Sequence, residues 1–227
     1  TATDCDGVAI QSASNTIDLG DNAIIIENCD YNDVGSVLTG DSLSSTVGIL
    51  ADDTNSDLTL NGTEVSGYAT GVSKENGVLF MIGDAEIAGT DYGVYAEDTY
   101  VYALVAHVDG GATGTGLHVV DSPDAWVYPM DASGAIGMYV ENTPFRWDGG
   151  VSDATTALSV VDAIGTVENL TWSDSTTQMN AGNNAHITSI GNTLDASKLV
   201  VASSAVIDEA NLMSIDSTHL GAAPSNE

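Results

Sequence analysis

Basic residues are almost absent: Lys74, Arg146 and Lys198 stand against 33 Asp and Glu in 227 residues, for a formal charge of −30 at pH 7. The acidic total is only modestly above ordinary usage, so the imbalance comes from the missing lysine and arginine. A surface of one sign repels nucleic acid, anionic lipid and acidic polysaccharide, which excludes them as direct partners and leaves divalent cations as the natural counterpart. Long apolar runs are missing too. None reaches the roughly 18 residues of a spanning helix, so no membrane insertion is expected of this segment. Residues 1–7 lack the basic start and apolar middle of a signal peptide, and the chain reads as a mature or excised piece. Stretches rich in Leu, Lys and Arg are scarce, while Gly, Ala, Ser, Thr, Asn and Asp abound, which favours strands and turns over helices. No Ser-His-Asp spacing, phosphate loop or zinc pattern occurs, which weakens the case for an enzyme. Nor is there a Thr-x-Thr ladder of the kind an ice-binding solenoid needs.

What is present is a period. A glycine followed by an aliphatic recurs at Gly48-Ile49, Gly71-Val72, Gly93-Val94, Gly116-Leu117 and Gly137-Met138, with Ala157-Leu158 continuing the series at steps of 20 to 23 residues. Two positions on lie Ala51, Lys74, Ala96, Val119, Val140 and Val160, so the local period is two and each segment is a strand with one buried face; Lys74 is the misfit. A second register runs through Leu19, Leu38, Val65, Ile87, Val108, Ala132, Val151 and Trp172, each followed within two residues by Gly or Asp. Between the two lies a third strand, seen at Leu58 and Leu60, Val78 to Ile82, Val101 to Val105, Trp126 to Tyr128, Phe145 to Trp147, and Val167. One such coil cannot bury its apolar face alone, whereas stacked coils share a core and pair their strands in parallel.

The Gly-aliphatic column, with a turn column of Asn28, Asp53, Asn76, Asp98, Ser122 and Asn142, resembles the right-handed parallel β-helix family, the architecture of pectate lyases, phage tailspikes and many surface adhesins. The resemblance covers about residues 4–180 and implies an all-β, right-handed, single-stranded parallel β-helix of about eight or nine coils, roughly 20–25 residues and three short strands each. Residues 1–180 form these coils, and 181–227 form irregular terminal coils or a cap of the same domain, with a short helix over 204–216 as an alternative. With no obvious cap before residue 4, the first coil is expected to abut another domain or subunit.

Cys5 and Cys29 sit in related contexts one period apart. Stacked coils would place them about 4.8 Å from each other, a spacing a disulfide accepts; two buried free thiols are the alternative. A bridge implies an oxidising, extracellular or cell-surface setting. The sequons at Asn61 and Asn169 are compatible with secretion.

Three outward columns carry the candidate chemistry. Glu27, Asp52, Glu75, Glu97, Asp121, Glu141 and Asp162 place one carboxylate in each coil. Neighbours about 4.8 Å apart repel by roughly 1 kcal/mol even in water, so calcium is the cation this column suits; the alternative is a solvated edge that prevents aggregation. No cofactor is required otherwise. Glu64, Glu86, His107 and Asp131 form a second column, spaced for a general acid and base or for the paired carboxylates of a retaining glycosidase, about 5–5.5 Å apart; the alternative is a polar strand face. Pectate-lyase chemistry itself is disfavoured by the scarcity of basic residues. Tyr95, His118 and Tyr139 form an aromatic ladder for a glycan or protein partner, and nearby faces carry Tyr100, Tyr102, Trp126, Tyr128 and Trp147, the last pointing inward.

The expected function is a non-enzymatic scaffold of a cell-surface, sheath, filament or adhesive protein, associating with copies of itself or with flanking domains. A carbohydrate-active β-helix acting on neutral glycans, either hydrolase or adhesin, is the alternative.

Overall fold

The computed structural model describes residues 2–3, 8–11, 16–17, 22–27, 29–40, 46–52 and 56–209. They form a parallel β-solenoid of about eight turns, in which every strand pairing is parallel and the one helix among these residues is the 3₁₀ turn Ala196–Lys198.

Each coil contributes strands to three faces. In one coil Thr70 to Glu75 lies on face one, Val78 to Ile82 on face two and Ala85 to Ala88 on face three, before Tyr92 returns to face one. The Gly-aliphatic column is face one: Ile49, Val72, Val94, Leu117, Met138 and Leu158 pair in succession, and all are fully buried. Close approach explains the glycines in front of them. A Cβ on Gly71 would lie 2.6 Å from the Gly93 carbonyl oxygen, and one on Gly93 would lie 2.7 Å from that of Gly116. Only hydrogen fits between these backbones.

The corner from face one to face two carries one left-handed residue per coil: Asn76, Asp98, Asp121, Asn142, Asp162 and Asn184, with φ between 45° and 62°. Asn and Asp tolerate this conformation better than other side chains, which accounts for the column. It corrects the expected turn column at one place. Asp121 holds the left-handed position, while Ser122 is buried one residue on, where its Oγ accepts from Thr99 N at 3.1 Å and its N–H donates to Thr143 Oγ1 at 2.9 Å. Of the other expected members, Asn28 and Asp53 lie outside the described residues.

Face three follows the second register with two changes. Ser152, not Val151, pairs with Ala132 and Trp172, and Val151 is exposed. In the first coil Ile17 pairs with Leu38, while Leu19 is outside the described residues. The pairing continues beyond residue 180. Leu199–Val201 pairs with Thr177–Ala181 and Val206–Glu209 with His186–Ile190, so residues 206–209 are strand rather than helix.

Among the described residues, one lysine and one aspartate enter the core. Lys74, the misfit of face one, is fully buried between Ala51 and Ala96, and its ammonium donates to the carbonyls of Glu75 at 3.0 Å and Asn76. The small neighbours make room for the stem, and the carbonyls replace its hydration. Asp33, buried beside Leu60 on face two, accepts from Ser36 Oγ at 2.6 Å, Thr63 Oγ1 at 2.5 Å and Ser36 N at 3.3 Å. It thereby ties its own coil to the next.

Candidate functional site

Face three presents an open cleft of about 530 Å³. Its floor is the expected column: Glu86 pairs with Glu64 on one side and His107 on the other, and His107 pairs with Asp131. All four line the cleft. Strand alternation aims them outward, because Val65, Ile87, Val108 and Ala132 between them face the core. Asp131 is fixed by the Val151 N–H at 2.8 Å and holds His107 Nδ1 at 3.2 Å. A carboxylate-oriented imidazole beside Glu86 has the arrangement of a general acid–base pair. Asp109 and Asp153, two positions along their strands from this column, add two further carboxylates to the lining. Their period-two relation to the column was the available signal, but beside glycines and serines they read as turn residues. Glu64, Glu86 and His107 are exposed, so a substrate held there would stay in contact with bulk water.

The seven carboxylates at the corner of face one do not form one file. Glu75 pairs with Glu97, but Glu97 faces Val120, which faces Glu141, which faces Val161. Asp121 and Asp162 belong to the neighbouring left-handed turn position, where they accept from Asn142 Nδ2 at 2.9 Å and Asn184 Nδ2 at 2.8 Å. Glu27 and Asp52 are exposed at the start of the series. Among the described residues, no group of three or more His, Cys, Asp or Glu is placed to hold a metal ion. Glu97 and Glu141 instead accept protons in hydrogen bonds from the phenols of Tyr95 and Tyr139, both at 2.7 Å.

Those tyrosines flank His118 in a continuous stack, with ring centroids 5.3 and 4.5 Å apart and planes within 14°. Tyr92 meets His118 edge-on at 4.9 Å. The three rings of the stack are half-buried and spend their faces on one another. Burial and the Glu141 hydrogen bond push the Tyr139 phenol up to about 12, and burial with the Glu97 bond raises Tyr95 likewise. Burial lowers His118 below 6.5, outweighing the upward pull of Glu141 and Glu97. A histidine depressed in the folded state contributes stability above its unfolded pKa, and that contribution is lost as pH falls through the folded value. The wild-type melting temperature should therefore fall more steeply between pH 7 and 5 than that of His118→Phe. Parallel curves would contradict this.

Trp147 points inward, fully buried. Cys29 is buried and not free, whereas Cys5 lies outside the described residues. Of the sequons, Asn61 is half-buried with Thr63 engaged by Asp33, while Asn169 is exposed and donates to Asp148 Oδ1 at 3.2 Å.

No protein-family model, curated protein or solved structure matches the chain, and what stands is the parallel β-solenoid itself, an architecture that assigns no chemistry.

Proposed function

We propose that this chain is a non-enzymatic structural module of an extracellular surface, sheath, filament or adhesive protein, associating with copies of itself through divalent cations such as calcium. The observation that supports this most is the unbroken stack. Face one alone carries nine successive parallel pairings, from Ala2–Thr3 to Leu199–Val201. At the strand spacing these make a rod about 43 Å long on one core. Copies carrying −30 each repel, so assembly requires cations between them. A Cys5–Cys29 bridge across the first coils and right-handed winding, the usual hand of parallel crossovers, belong to the same reading.

Electron microscopy of the concentrated protein with calcium should show filaments or an ordered lattice that a chelator dissolves. A monodisperse monomer under both conditions would overturn the proposal. Thermal melting at constant ionic strength should give a midpoint several degrees higher with calcium than with chelator; equal midpoints would reduce the acidic surface to a solvation device.

The cleft supports a second reading, a glycoside hydrolase or glycan-binding adhesin for neutral glycans, with Glu86 between Glu64 and His107 as the central group. Loss of glycan hydrolysis in Glu86→Gln, with folding intact, would favour this reading over the structural one.

A further inference from the structure

Face two bears an aromatic surface separate from the cleft and from the Tyr95–His118–Tyr139 stack. Val78, Phe80 and Ile82 pair with Tyr100, Tyr102 and Leu104, and Tyr102 pairs with Trp126, two residues before Tyr128. Alternation turns all of them outward, since Leu79, Met81, Val101, Ala103 and Val127 between them are fully buried. Tyr100 is 44 %, Trp126 43 % and Tyr128 51 % exposed, and they lie together on adjoining rungs, the kind of contiguous exposed patch that marks an interaction site. Phe80 and Tyr102 stack on each other at 5.1 Å. Tyr100, Trp126 and Tyr128 differ from both stacks: among the described residues none of the three makes a ring contact or a side-chain hydrogen bond. Their rings are unstacked and their polar tips unbonded.

The next rung changes character. Arg146 pairs with Trp126 across the sheet, and its Nη2 bonds Asp148 at 3.1 Å and Glu168 at 3.2 Å. A fixed set of donors and acceptors thus borders the rings along the solenoid axis.

We propose that this surface is a binding platform for a neutral oligosaccharide, with the rings of Tyr100, Trp126 and Tyr128 beneath the sugars and the Arg146–Asp148–Glu168 group beside their hydroxyls. A pyranose has a C–H face that suits a flat ring and a rim of hydroxyls that suits the polar border, the combination of apolar surface and few placed polar groups found in small-ligand sites. Charge selects a neutral ligand, because −30 repels any polyanion. The patch by itself is too small to hold a second copy. Two rung spacings by four residues of strand span about 10 by 14 Å, far below the roughly 800 Å² per partner of a stable protein interface.

The test is affinity electrophoresis of the whole chain through native gels cast with hydroxyethylcellulose, glucomannan, mannan or galactan, followed by tryptophan-fluorescence titration with fragments of the retarding polymer. At least one polymer should retard the protein. Trp126→Ala should weaken binding about tenfold or more, while Trp126→Phe retains part of it and Tyr139→Ala leaves it unchanged. Because Trp126 is exposed, the melting temperature of Trp126→Ala should stay at the wild-type value. Passage through all four gels without retardation would overturn the platform, as would equal retardation of Trp126→Ala. Dimerisation of the wild type in sedimentation, abolished by Trp126→Ala, would likewise assign the surface to a second copy and overturn it. The platform goes beyond the structural reading and stands apart from it: lattice formation without retardation sinks only the platform, and retardation of a strictly monomeric protein sinks only the lattice.

Discussion

Gly93→Val is expected to destabilise the solenoid by more than about 3 kcal/mol, and Gly93→Ala by about 1–3 kcal/mol, in urea or thermal unfolding. A Cβ at residue 93 would meet the Gly116 oxygen at 2.7 Å, the Asp109 oxygen at 2.8 Å and the Asp109 nitrogen at 3.0 Å. All three are backbone atoms held by the parallel ladders, so no side chain can swing aside. The misfit lies in mid-stack, where face-one strands press from both sides. Later in the column, where Ala157 and then Gln178 hold this position, a Cβ is accommodated. A Gly93→Val protein within about 0.5 kcal/mol of wild type, the range of ordinary surface substitutions, would refute the close approach inferred for this column.

Asp33→Ala carries the second large effect, an expected loss of about 3–5 kcal/mol from several buried donors left without an acceptor at about 1–3 kcal/mol each, partly relieved by relaxation. The substitution removes the shared acceptor of the Tyr31, Ser36 and Thr63 hydroxyls and of Ser36 N, and leaves three hydroxyls and one N–H buried without it. Thr63 belongs to the following coil, so the cost falls on the joint between coils. Asp33→Asn should lose less, because the amide keeps one carbonyl oxygen for the hydroxyls. Denaturant midpoints of the two variants give the comparison; a loss below about 1 kcal/mol for Asp33→Ala would mean the site rearranges to satisfy its donors.

The residues that locate the fold in the sequence are those with the least freedom. Backbone contact imposes the Gly-aliphatic column, and strand alternation fixes the residue two positions on, so face one could be placed residue by residue. Ordinary side-chain preference hid more. Lys74 looked like a break in the pattern because its composition is that of a surface residue, whereas small neighbours and corner carbonyls accommodate it inside. Asp33 follows Tyr31 at the same period of two that aims Leu58 and Leu60 inward, a signal that its charge obscured.

Registers failed by one residue where two polar positions adjoin. Asp121 and Asp162 share the spacing of the glutamate column, but they follow Val120 and Val161, which occupy it. Only the left-handed φ distinguishes a turn aspartate from a strand-end one, and composition does not encode that difference. The cleft was more legible, because Glu64, Glu86, His107 and Asp131 share a phase relative to inward neighbours that are unmistakably apolar. The Tyr95–His118–Tyr139 column was legible as a ladder. Its half-burial was not, since that follows from the rings stacking on each other.

The cleft, the platform and the rod length all inherit one register, in which each residue lies beside the one a coil earlier. Thr166 and Thr188 are such a pair on face two, and Ile190 lies two positions further along. Under mild oxidation, with the new bond located by peptide mass mapping, a Thr166→Cys/Thr188→Cys variant should cross-link rapidly, at a Cα separation of about 4.8 Å. The displaced Thr166→Cys/Ile190→Cys variant, at about 7–8 Å, should cross-link poorly. Equal or reversed rates would contradict the stacked-coil register.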